Sequence, residues 1–198
     1  MKRSSAFIDK LDLLLGSLAF IRNHFVVLLG LGLVAAFGRV IQLGGLGEIP
    51  TVANWVLEVM VEGARLLICL YVLGIANSRK GLSIVKRILT GRVSFKQHWP
   101  GIKQKFQAQW AGILISFTGY LAVAGVFNIL IDQLAYETCL FLSLKGWGVL
   151  VDSSSEWTIL LFFKNLSVIP LTLVFETFFL LWITDKLLPK KVSDSPAA

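Results

Sequence analysis

Residues 52–77 read VANWVLEVMVEGARLLICLYVLGIAN, a run long enough to cross a membrane as one helix, about 39 Å at about 1.5 Å per residue, yet it carries three charges. Glu58, Glu62 and Arg65 fall at i, i+4 and i+7 and therefore share one helix face. A charge at the centre of a span costs about 2.5–3.5 kcal/mol even on lenient insertion scales, so these three have to face other protein or water, not lipid. A polar stripe on an otherwise apolar helix thus gives both the class of the protein and its first candidate site.

The rest of the chain agrees with that class. Of 198 residues, 56% are hydrophobic and only 16% charged, and the mean hydropathy is +0.75, outside the range of soluble domains. The expected fold is an all-α integral membrane protein with one helical domain over 1–188 and a polar C-terminal tail over 189–198. Its expected spans are 24–42, 52–77, 107–131 and 157–184. The glycines of the first and third, Gly30, Gly32, Gly38, Gly112, Gly119 and Gly125, permit close helix approach without specifying it. A net charge of +7 would raise nucleic acid as a partner in a soluble protein. In a membrane protein Lys and Arg report orientation first, and no nucleic-acid partner is expected.

Their placement is lopsided. On one side fall Lys2, Arg3, Lys10, Arg22, the eight cations between 79 and 105, and Lys186, Lys190 and Lys191, while the other side holds only Lys145. This predicts four spans with both termini in the cytoplasm or its topological equivalent. The expected location is a bacterial inner (plasma) membrane, with an organelle membrane as the alternative.

Amphipathic segments gather on the basic side. Residues 4–21 set Phe7, Leu11, Leu14, Leu15 and Leu18 against Asp9, Lys10 and Asp12, and those charges interrupt the apolar core that a cleaved secretory signal would need. Between 79 and 105, Leu82, Val85, Ile88 and Leu89 repeat at helical spacing against Lys86 and Arg87. Phe95, Trp99, Ile102, Phe106 and Trp110 then alternate with Lys96, Lys103 and Lys105, with Pro100 bending or restarting the segment. Aromatics beside lysines suit the headgroup layer, so Lys86, Arg87, Lys96, Trp99, Lys103 and Lys105 form an expected interface with anionic headgroups. On the opposite side the run 139–151, broken by Lys145, Gly146 and Gly148, is short for a crossing and reads as an interfacial or re-entrant segment.

Six charges fall inside spans: Arg39, Glu58, Glu62, Arg65, Lys164 and Glu176. In this topology Arg39, Glu58 and Lys164 sit at similar depth, so Glu58 is expected to pair with Lys164 or Arg39, and Glu62 with Arg65 nearer the midplane. Glu176 has no evident partner in the chain and is a candidate for contact with another protein. The set reads as internal pairing, partner contact or a transport path.

Enzyme signatures are missing. The chain has no HExxH, no GxSxG, no Gly-rich phosphate loop and no Asp-rich metal pattern, so no catalytic activity and no cofactor are expected. His24 and His98 lie at span edges without further ligands, which leaves no expected metal site, and Cys69 and Cys139 fall too far apart for a disulfide. The expected function is an accessory, scaffold or assembly subunit of a larger membrane protein complex, with lipids and other membrane subunits as partners. Two rivals stand beside it: a small oligomeric transporter or channel with a polar path along Glu58, Glu62 and Arg65, and a lipid-binding or membrane-shaping protein.

Overall fold

The computed structural model describes residues 11–90 and 95–184, with the side chains of 95–98 excepted. The tail 189–198, the residues before 11, Arg92 and the side chains of Lys96 and His98 lie outside the described residues. The described chain is all helical: α1 Asp12–Asn23, α2 Phe25–Gln42, α3 Thr51–Leu73, α4 Ser78–Leu89, α5 Phe95–Tyr136, α6 Leu140–Gly146, α7 Trp157–Leu166 and α8 Val168–Ile183. Among the described residues, three stretches are long and apolar enough to cross a membrane: α2, Trp99–Tyr136 within α5, and α7 with α8 over Trp157–Ile183. With its three charges, α3 reaches that standard only together with α4, from which it is bent by 90°. The chain is therefore a helical membrane protein with three or four candidate spans.

Helix ends follow local chemistry. α3 stops at Leu73, short of residue 77, because Ile75 and Ala76 take left-handed φ values of 42° and 64°. Asn77 then restarts the chain as an N-cap, its side-chain oxygen accepting the Lys80 N–H at 3.1 Å. The last candidate span breaks at Ser167 (φ −124°, ψ −70°), three residues before Pro170, whose ring nitrogen has no hydrogen for the Leu166 carbonyl. α5 absorbs Pro100 and instead leaves helical geometry at Gln109 (φ −124°, ψ 17°). The run 139–151 holds only the seven-residue α6, about 10 Å long and too short to cross. It folds back, burying Phe141 and Leu150 against Val40, Ile131, Ile159 and Leu160, and the Val151 N–H donates to the Gly45 carbonyl at 3.1 Å.

α2 is the hub of one half of the bundle, with α3 packed on one side and α7 on the other. α3 and α7 make no extensive contact with each other there. At the other end α8 closes the gap, Val174 packing with Leu28, Ile68 and Val72, and Phe20 of α1 joins this cluster. α5 lies along α8, with Tyr120 stacked on Phe175 at 4.5 Å and Phe117 edge-on to the same ring at 5.1 Å.

The α2–α3 contact depends on Gly38. A Cβ there would stand 2.5 Å from Cγ2 of Val61, which is fully buried and has nowhere to move. Gly38→Ala is therefore expected to destabilise the hairpin by about 1–3 kcal/mol, with Val61→Ala in the same chain restoring most of it. Thermal unfolding of the two variants in bicelles checks this, and equal midpoints would contradict the tight approach.

Candidate functional site

The charged residues of α2 and α3 meet because the two helices are antiparallel and joined by a tight turn, with positive φ at Gly44 and Gly47. The Arg39 guanidinium grips Glu58 with two bonds, Nη1 to Oε2 at 2.8 Å and Nη2 to Oε1 at 3.1 Å. The same Nη2 reaches Oε1 of Glu62 at 3.0 Å. That oxygen also accepts from Arg65 Nη1 at 2.6 Å, and Arg65 Nη2 donates to Asn165 Oδ1 on α7 at 2.7 Å. Asn165 is held in turn by its Nδ2, which donates to the Leu161 carbonyl at 2.8 Å. Gln42 closes the other end: its Oε1 accepts from Arg39 Nη1 at 2.9 Å, and its Nε2 donates to Glu58 Oε2 at 2.9 Å and to the Asn54 carbonyl at 3.2 Å.

The result is a ladder of alternating sign, Glu58, Arg39, Glu62, Arg65, running from α2 and α3 to an amide on α7. Two cations meet two anions, and the bidentate pair adds geometric specificity to the charge match. The Arg65 Nε–H is buried without a hydrogen-bond partner, so the fit at that end is incomplete. Exposure divides the ladder: the arginine side chains are 23% and 22% accessible, whereas Glu58 is 40% and Glu62 50%. The carboxylates thus form the more open edge of the ladder and the arginines its more covered one. On the far side of the α2–α3 contact lies an apolar groove of about 310 Å³ past Phe37, Ile41, Leu57 and Met60, so polar and apolar surfaces are segregated across the hairpin.

Lys164 does not join the ladder. Its ammonium lies 3.9 Å from Asp132 of α5, on the other side of α7. The reason is geometric, since consecutive residues on a helix point about 100° apart and Asn165 occupies the side facing α3. Glu58 accordingly has Arg39 and Gln42 as partners and Lys164 is corrected to a partner of Asp132. Glu176 is exposed on α8, with no ion-pair partner among the described residues. Gln42, Asn54, Asp132 and Asn165 are given no role by the sequence reading, although a polar residue within a turn of a span charge is a usable signal.

At the basic end, Lys86, Arg87, Trp99 and Lys103 are exposed. Lys105 is engaged within the protein, donating to the Trp182 carbonyl and lying over that indole at 4.5 Å, and so ties α5 to the end of α8. Among the described residues no group of three His, Cys, Asp or Glu is placed to hold a metal ion. Cys69 and Cys139 are both free. The chain matches no family model, no curated protein and no solved structure.

Proposed function

We propose that this chain is a non-catalytic membrane subunit of four spans, with both termini on the cytoplasmic side, that assembles with other membrane proteins through the exposed flank of α3. The observation that carries this reading is Glu62, half exposed at the midpoint of a helix as long as a span. Lipid can cover Trp55, Val59 and Leu66, which are also exposed on α3, but it offers no hydrogen bond to a carboxylate. A neighbouring protein helix with a donor at that level can. The balance of the ladder adds support, because two Arg–Glu sets that neutralise each other hold helices in register and leave little charge to bind a mobile ion.

A transport path is the second reading, favoured by the row of partly exposed charges that Glu58, Glu62 and Arg65 make along α3. The two part on one preparation. The protein is extracted gently from its native membrane, and the mass and composition of the particle are measured for wild type and Glu62→Gln. Fixed partner chains that are lost from Glu62→Gln, while the chain itself stays folded, are the expected result. A particle holding only this chain and lipid would overturn the subunit reading and move transport ahead.

A further inference from the structure

At the basic end, α4 departs from the bundle pattern. Its sequence, SRKGLSIVKRIL, contains four cations and no acid. At 100° per residue, Arg79, Lys80, Lys86 and Arg87 fall on one arc with Ser83 and Thr90, while Leu82, Ile84, Val85, Ile88 and Leu89 take the other. Such a helix could run on along the axis of α3 or lie across its end. The structure has it across, bent by 90°. The crossing is a backbone contact: a Cβ on Gly81 would stand 1.9 Å from the Leu70 carbonyl oxygen, so glycine is required for α4 to sit where it does. All four cations are exposed, and none has an acidic partner among the described residues. Leu82 and Leu89 are 57% and 81% exposed, too open for a helix that merely covers the bundle end.

We infer that α4 is a docking surface for anionic phospholipid headgroups, lying in the plane of the bilayer surface with its leucines in the acyl layer and its cations among the phosphates. Charge complementarity names the headgroup, and the exposed leucines separate a lipid from free phosphate, which would gain nothing from them. Trp99 and Trp110, exposed on the adjoining part of α5, belong to the same boundary layer. This surface is separate from the α3 flank and does not depend on the subunit reading.

The test uses the full-length protein in phosphatidylcholine vesicles containing a minor fraction of spin-labelled phosphatidylglycerol or spin-labelled phosphatidylcholine. The motionally restricted fraction gives the relative association of the two lipids. Wild type is expected to prefer phosphatidylglycerol, by up to about fivefold for each cation engaged, with the preference falling at high salt and unaffected by millimolar inorganic phosphate. The variant R79Q/K80Q/K86Q/R87Q changes only exposed side chains, so it should keep its fold and lose the preference. Gly81→Val keeps every cation but dislodges the helix and should lose it too. Equal association of the two lipids with wild type overturns the inference, as does a preference retained by the fourfold variant. Retention by Gly81→Val would show that charge alone, and not the laid-down helix, attracts the lipid. Displacement by inorganic phosphate would mark a free-anion site, again overturning the proposal.

Discussion

Replacing Arg39 by Met is expected to cost the bundle about 3 kcal/mol, the low end for breaking a buried ion pair because its carboxylate partners are partly exposed. Met replaces the aliphatic stem of Arg39 and ends where the guanidinium begins, so packing along the stem changes little. What changes is charge: Glu58 loses both guanidinium bonds, Glu62 keeps only Arg65, and one carboxylate is left uncompensated inside the helical layer. Gln42 remains against Glu58 but contributes no charge. The diagnostic comparison is Arg39→Met with Glu58→Gln, which removes the orphaned charge and should recover most of the loss. Arg39→Lys should fall between, since an ammonium cannot make the two parallel bonds. Denaturation by sodium dodecyl sulfate in bicelles measures all three. If the single and double variants unfold alike, the ladder is not what holds α2 against α3.

Phe175→Ala should be comparably damaging, again about 3 kcal/mol, by a different mechanism. Phe175 is fully buried on α8, with Tyr120 stacked at 4.5 Å and nearly parallel and Phe117 edge-on at 5.1 Å. Removing the ring leaves a void that neither neighbour can fill without giving up its own position. Lipid is as apolar as leucine, so little of the cost comes from transfer out of water and most from lost packing. Leu121→Ala, one residue beyond Tyr120 but 63% exposed, is the control and should stay within about 0.5 kcal/mol. A loss at Leu121 equal to that at Phe175 would mean that α5 packs elsewhere.

These residues also indicate what the sequence could and could not convey. The charged stripe was readable because i, i+4 and i+7 need only one helix, and Arg39 was readable as a partner for Glu58 because a short turn leaves α2 and α3 little choice but to lie side by side. Lys164 was misdirected because depth along a helix can be counted but its rotation cannot. That rotation was decided by which of two adjacent polar residues, Lys164 or Asn165, met Arg65. Breaks at Ser167 and Gln109 were invisible to hydropathy, which runs smoothly through both, although Pro170 marked the neighbourhood of the first. The end of α3 at Leu73 depended on two left-handed residues, Ile75 and Ala76, whose identities do not announce such a turn. α4 was readable as amphipathic, but its right-angle course rests on two glycines seated on carbonyls, Gly81 on that of Leu70 and Gly74 on that of Asn77.

The ladder also bears on how the chain enters the bilayer. Arg39 and Glu58 are only 19 residues apart, and the turn between them brings them together before any later helix is made. Inserted singly, α2 would carry a lone cation, and α3 two anions and a cation, each costing about 2.5–3.5 kcal/mol near the centre of a span. Inserted as a preformed hairpin, the four neutralise one another and most of that penalty vanishes. On the four-span reading proposed above, the lowest-energy route during synthesis is joint entry of α2 and α3, with Arg65 meeting Asn165 of α7, 100 residues further along the chain, only later. On that reading, the same contacts that join α2 to α3 in the finished bundle also favour their entering the bilayer as a pair.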